Sequence, residues 1–316
     1  MILLVQYTLI FASVLLLVAL GGCVSEHSGV INLGLEGIMV MGALGGALVM
    51  KFLPYAEGSG NNVGMFLAVL CACMAAGMLY SALLAVACIN LKADQTIVGT
   101  ALNMLGTALA TVAVKSMNTA LNPDDHSSEI FYGKAKRAFL TNIGKFELNW
   151  FMVVAVVLLI VVFVLLYKTK FGLRLRACGE HPQAAASVGI SVYKMRWAGV
   201  LLSGLLGGVG GITYITAGVS TWKFENGVAG FGFLALAVMI FGAWHPFKIA
   251  GAALLFGLFR ALGNVYNGFD FLKAMNIPTG IYNMLPYIVS LVVLAFTSKN
   301  SAAPKAEGIP YDKGMR

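Results

Sequence analysis

The stretch WFMVVAVVLLIVVFVLLY, residues 150–167, contains no charged side chain. As a helix rising 1.5 Å per residue it would reach about 27 Å, close to the ~30 Å hydrocarbon core of a bilayer. Directly after it comes KTKFGLRLRACGEHPQAAASVGISVYKMR, residues 168–196, with six basic residues against one acid, Glu180. Before it lies 118–149, where Lys134, Lys136, Arg137 and Lys145 are balanced by Asp124, Asp125, Glu129 and Glu147. Basic loops are retained on the cytoplasmic side. The helix therefore runs from an outer loop, 118–149, into a cytoplasmic loop, 168–196, and the chain is oriented with its N-terminus outside and its C-terminus inside.

Further apolar runs of similar length flank this helix: Ile2–Gly22, Val30–Phe52, Val63–Ile89, Thr96–Met117, Trp197–Gly218, Ala229–Trp244, Ile249–Val265 and Gly280–Phe296. The run at 229 is short, and the one at 249 carries Arg260. Composition agrees with a lipid-dissolved protein: 59% of residues are hydrophobic and 11% charged, against ~45–50% and ~25% in soluble domains. The 37 glycines suit close approach of membrane helices. The expectation is an all-α polytopic membrane protein of about nine transmembrane helices. Residues 1–297 form the membrane domain and 298–316 a cytoplasmic tail.

The formal charge of +8 does not point to nucleic acid, because the basic residues are spread between apolar runs instead of forming a patch. Cys71 and Cys73 make a C-x-C with no His nearby, Cys88 sits in an apolar run, and Cys23 and Cys178 fall in loops placed in the cytoplasm. Neither a metal site nor a disulfide is implied. The first apolar run lacks a basic leader and a small-residue cleavage site, so it reads as a retained helix.

Two segments repeat. Gly29-Val30-Ile31-Asn32-Leu33-Gly34 is echoed by Gly227-Val228-Ala229-Gly230-Phe231-Gly232, and Val40-Met41 recurs as Val238-Met239 at the same offset. The helices that follow run in opposite directions, the pattern of an inverted repeat with a solute path between its halves. The alternative is chance recurrence of Gly and Val. Within 168–196, Pro182 suits the first turn of a short helix. Glu180 complements its N-terminus. Ala184, Ala185 and Ala186 continue the helix and Gly189 ends it. The expected product is a short amphipathic helix on the cytoplasmic face, flanked by Arg174, Arg176, Lys194 and Arg196.

Three elements in this order resemble one family. Gly172 to Ile190 follows the form G-L-R-x-R-A-x-G-E-x-P-x-A-A-x-x-x-G-I; Ser28 to Gly37 is similar to an sGvxNxGxEG element; and Gly230 to Ala237, with Phe241, Gly242 and Pro246, is similar to a GxGFxAxAxxxxG…P element. Together they resemble the bacterial permeases of ABC importers for branched-chain amino acids, ribose and nucleosides, most closely the nucleoside subgroup. His181 departs from the Asn common there. The resemblance implies a type II importer fold in the bacterial cytoplasmic (inner) membrane. It implies that 177–190 is a coupling helix seated in a separate cytoplasmic ABC ATPase, with Arg174, Arg176, Gly179, Glu180, Pro182, Ala185 and Gly189 as coupling residues. The implied partners are that ATPase, a second and different permease subunit, an extracytoplasmic solute-binding lipoprotein and membrane lipid. Nucleosides or related ribosyl solutes are the implied cargo. Simple sugars, flavins and branched-chain amino acids are the alternatives.

No G-x-x-x-x-G-K-[ST] phosphate loop is present, so no cofactor is expected in this chain and ATP would be held by the partner. Polar side chains inside the membrane are costly and so become the site candidates. Asn32 and Glu36 share a face at four-residue spacing. Glu36 either lines the solute path or caps a neighbouring broken helix. Asn103, in mid-helix, suits either a nucleobase edge or a helix–helix bond. Trp222 could stack a ring or anchor at the interface, and Glu225 is near it on the outer side. Asn90 and Gln95 read as helix caps, Arg260 as snorkelling or paired with Asp270, and Trp244-His245-Pro246 as a helix stop. With no Ser–His–Asp pattern, paired helical His or second intramembrane acid, an intramembrane enzyme and an ion-coupled carrier are the weaker readings.

Overall fold

A computed structural model describes residues 2–53, 63–130, 139–144, 146–218, 223–265, 279–297, 302–312 and 314. The helices are α1 (Ile2–Glu26), α2 (Leu35–Phe52), α3 (Val63–Ala85), α4 (Gln95–Leu121), α5 (Trp150–Lys168), α6 (Lys170–Glu180), α7 (Pro182–Ser187), α8 (Val192–Thr213), α9 (Phe231–Phe241), α10 (Pro246–Val265) and α11 (Thr279–Thr297). Five-residue π turns extend α3 through Val86–Asn90 and α8 through Tyr214–Gly218. An antiparallel hairpin, β1 (Leu140–Ile143) with β2 (Phe146–Asn149), leads into α5. Local chemistry starts several helices. Asp94 accepts from Thr96 N and Ile97 N at α4, Asn149 from Phe151 N at α5, and Thr169 from Gly172 N at α6.

Each expected apolar run contains a helix, but the count needs a refinement. Among the described residues seven helices are long and apolar enough to cross a bilayer. α9 has only 11 residues, about 16 Å of helix and half a bilayer core. α2 begins at Leu35 and not at Val30, because residues 27–34 enter as non-helical chain. The hairpin inside 118–149 and the separate helix α6 were not expected from sequence. Cys23, expected in a loop, lies in the last turn of α1.

The two ends of the bundle separate the loops as the charge pattern requires. At one end Gln6 donates to Glu147 at 3.2 Å and Lys51 to Asn118 at 3.0 Å. At the other end Lys92 of the α3–α4 turn meets Asp312, and Ala306 N donates to Gly179 O at 2.8 Å. The N-terminus thus shares an end with the 118–149 loop, and the C-terminus shares the opposite end with 168–187.

α8 is the central helix, packed on α1, α2 and α3. Backbone lies on backbone there: a Cβ at Gly208 would meet Cys73 O at 2.3 Å, and one at Gly211 would meet Met39 O at 1.9 Å. Helices in lipid gain no hydrophobic drive from burying apolar faces, so close backbone packing of this kind carries the association.

Candidate functional site: two interrupted helices meeting at Glu36

The chain enters the helix bundle twice without α-helix. Residues 27–34 come from the end that carries α6 and α7 and lead into α2; residues 223–230, with a 3-10 turn at Phe224–Asn226, come from the end that carries the 118–149 loop and lead into α9. The repeated segments carry similar features. Gly29 and Gly227 have φ of 90° and 55°, a region open to glycine without steric cost, and Val30 and Val228 are both fully buried. α2 then heads outward and α9 inward, the inverted arrangement expected from the repeat.

Both helix starts are held by side chains from elsewhere. Glu36, in the first turn of α2, caps α9: Gly230 N donates to its Oε1 and Gly232 N to its Oε2, each at 2.8 Å. Asn103, eight residues into α4, caps α2. Its Oδ1 accepts from Gly37 N at 2.9 Å and its Nδ2 donates to Leu33 O at 2.8 Å. Asn32 Oδ1 accepts from Gly34 N at 3.1 Å, and its Nδ2 donates to Ser203 Oγ of α8 at 2.8 Å. Unpaired amides at such depth cost several kcal/mol each, and charge-assisted bonds contribute about 1.5–3 kcal/mol. Glu36 thus bonds the start of α9, and Asn103 bonds α4 to the start of α2.

The next layer is aromatic. Phe231 at the start of α9 is enclosed by Phe11 and Tyr214, with the Arg260 guanidinium 5.4 Å above its ring. Tyr287 of α11 donates to Ala229 O at 3.2 Å. Glu225 sits apart at the outer end in an ion pair with Lys115, whose ammonium holds the carboxyl below its usual range. Trp222 and Asp270 fall outside the described residues. Asn90 accepts from Trp197 Nε1 at 2.9 Å, and Gln95 from Ile31 N at 2.7 Å, so Gln95 anchors the incoming 27–34 segment.

On the cytoplasmic face Pro182 opens α7 at its first turn, and Gly189 closes it at φ 83°. Glu180 does not cap α7 but ends α6, and α7 has no side-chain cap. The residues assigned to coupling divide by direction. Ala185 is 4% exposed, packed among Cys178, Val192 and Tyr311 of its own chain, and Gly179 is pressed on the His27 carbonyl. Arg176 stacks over Tyr167 at 4.6 Å. Arg174, Glu180 and Gly189 are exposed, and Pro182 is half-buried. Outward-facing apolar side chains that sequence reasoning passed over are Leu173, Val188 and Ile309.

Arg196, expected on the surface beside Lys194, is instead 1% exposed. Its Nη1 donates to Ile309 O of the C-terminal segment at 2.9 Å. Trp244 does more than stop a helix: its Nε1 donates to Glu26 Oε2 at 2.5 Å, and its carbonyl accepts from Cys23 Sγ and pairs with His27 Nε2, both at 3.1 Å. Among the described residues no three His, Cys, Asp or Glu side chains gather as a metal site.

Comparison with known proteins follows this geometry. Residues 4–296 match the family model described as branched-chain amino acid transport system / permease component. The chain is similar to the guanosine ABC transporter permease protein NupQ of Bacillus subtilis, 40% identical across 99% of this chain and 97% of that one. It is also similar to the nucleoside ABC transporter permease protein NupC of Lactococcus lactis, 38% identical across 96% and 95%. A second L. lactis nucleoside permease, NupB, is 26% identical over 51% of this chain and 46% of its own. No solved structure matches.

Proposed function

The chain belongs to the permease-component family of branched-chain amino acid transport systems, and we propose that it carries nucleosides inward as one half of a two-permease pore. It is a multi-pass protein of the cytoplasmic membrane and the permease subunit of an ABC importer. The observation that supports a transport path is the meeting of two re-entrant segments, from opposite faces, at the carboxylate of Glu36. Near-full-length similarity to guanosine and nucleoside permeases favours nucleoside cargo.

In this reading Asn32, Glu36 and Asn103 do not grip the solute. They fix the backbone around its path, and the solute passes along the side of α4 that no described residue covers. Ile97, Met104 and Val112 on that side are 69%, 78% and 63% exposed. A second permease facing α4 would complete the pore. The existence of two distinct nucleoside permeases in one organism, NupB and NupC, favours a different chain over a second copy. The outward face of α6 and α7 seats a separate ATPase that binds and hydrolyses ATP, and a solute-binding lipoprotein delivers cargo from outside. The chain performs no chemistry of its own.

Reconstitution tests this. In liposomes the chain alone should neither hydrolyse ATP nor accumulate radiolabelled guanosine. Uptake should require ATPase, second permease and binding protein together. Accumulation by the chain alone under a proton or sodium gradient would overturn the reading.

A further inference from the structure

The C-terminal segment, expected as a cytoplasmic tail, is folded against α6, α7, α8 and the α3–α4 turn. Ala306 N donates to Gly179 O at the end of α6. Gln183 Nε2 of α7 donates to Asp312 O at 2.9 Å. Arg196 of α8 donates to Ile309 O, Lys92 of the α3–α4 turn bonds Asp312 at 2.8 Å, and the Tyr193 and Tyr311 rings meet edge-on at 5.5 Å. Gly308, at φ 76°, lies against the side chain of Ile31. Pro304, Ala306 and Tyr311 are buried while Lys305, Ile309 and Pro310 are exposed, so one side of the segment, which turns at 305–308, is part of the protein interior.

Two features go beyond a surface tail lying where it fits. The segment bonds α6 and α7 at separate points, and it also touches Ile31 in the stretch leading to Asn32 and the start of α2. It therefore joins the coupling helices to the interrupted helix at the site. Its anchor is a buried guanidinium: among the described residues Arg196 Nε and Nη2 have no hydrogen-bond partner, and Nη1 donates to the tail carbonyl. A charge removed from water is costly when poorly paired, and a buried arginine held by one backbone carbonyl is a poor way to gain stability alone.

We infer that residues 303–312 are a tie that makes α6 and α7 move as one body with the 27–34 segment, with Arg196 as the positioning residue that holds the tie. A force applied by the ATPase at α7 then reaches the start of α2. Without the tie, α7 swings on its connections at His181 and Gly189, and ATP is hydrolysed without moving solute. This rests on the ABC importer reading.

The test is the ratio of guanosine imported to ATP hydrolysed in the reconstituted importer. Arg196→Ala should lower that ratio while the ATPase still co-purifies, and Arg196→Lys, which restores a donor for Ile309 O, should recover much of it. Asp312→Lys is a surface change that spares folding. It should lower the ratio by up to about fivefold, the reach of an exposed ion pair, and adding Lys92→Asp should restore it. A purely structural role would lower the amount of importer and leave the ratio unchanged. If Asp312→Lys and Arg196→Ala both keep the wild-type ratio, the tie is refuted. If wild-type importer itself shows no ATP-dependent uptake, the functional reading fails instead.

Discussion

Glu36 and Gly230 are 194 residues apart in sequence and joined by a 2.8 Å hydrogen bond, so one carboxylate of α2 holds the start of α9. Glu36→Ala removes both acceptors of α9 and should cost about 1–3 kcal/mol of stability, with a larger loss of nucleoside uptake because the α9 backbone shifts at the path. Glu36→Gln keeps one acceptor but turns an NH2 donor toward an N–H, so it should recover only part. Thermal unfolding in detergent and ATP-driven uptake measure the two effects. Wild-type uptake by Glu36→Ala would remove Glu36 from the site.

Backbone contact between α3 and α8 makes a sharp contrast available. Gly208→Ala places a Cβ against the Cys73 carbonyl, and forced separation of packed helices costs ~1–3 kcal/mol. Gly251→Ala on α10 meets nothing within 4 Å and gains helix propensity of up to about 1 kcal/mol. The melting temperature should fall for the first and hold or rise for the second. Equal shifts would contradict the packing described.

Ala185 and Val188 lie three residues apart but face opposite ways, at 4% and 74% exposure. Ala185→Trp should destabilise the isolated chain, since it collides with Cys178, Val192 and Tyr311. Val188→Asp should leave the chain as stable as wild type yet weaken ATPase co-purification by roughly tenfold, the effect of losing a contact worth over 1 kcal/mol. If Val188→Asp retains the ATPase fully, the outward face of α7 is not its seat.

Tail docking should depend on pH. Burial pushes the Glu307 carboxyl from 4.5 up to about 7, and its Oε2 has no hydrogen-bond partner. The docked tail then binds more protons than the released tail between those values, so docking weakens as pH rises through about 7. A spin label on Lys305→Cys should become more mobile from about pH 6 to pH 8, and Glu307→Gln should flatten that response. A slope that persists in Glu307→Gln would assign the effect to another group.

What the sequence revealed is what depends on near neighbours. Hydropathy over a window located the helices, and Pro182 and Gly189 bounded α7. Pairings across the chain were beyond that reach. Glu36 was recognised as a cap or a path residue, but nothing local named Gly230 and Gly232 as its donors. Arg196 was misplaced because a positive-inside count treats every basic residue as solvated. The tail was given a side of the membrane but no contacts, because nothing near it in sequence names them. Its buried Pro304, Ala306 and Tyr311, spaced through a polar stretch, are the signal that was there to be used.

The arrangement at Glu36 also bears on the charge in the middle of the membrane. Both carboxylate oxygens accept from N–H groups, so backbone donors compensate the ionised form. The starts of α2 and α9 each bring about half a positive charge from their aligned peptide dipoles. One full negative charge would be met by two such halves, and the Arg260 guanidinium over the Phe231 ring adds a positive charge to the same surroundings. A solute taking the proposed path would find the acid already engaged by backbone donors and a cation close by, so the surroundings of Glu36 lean positive.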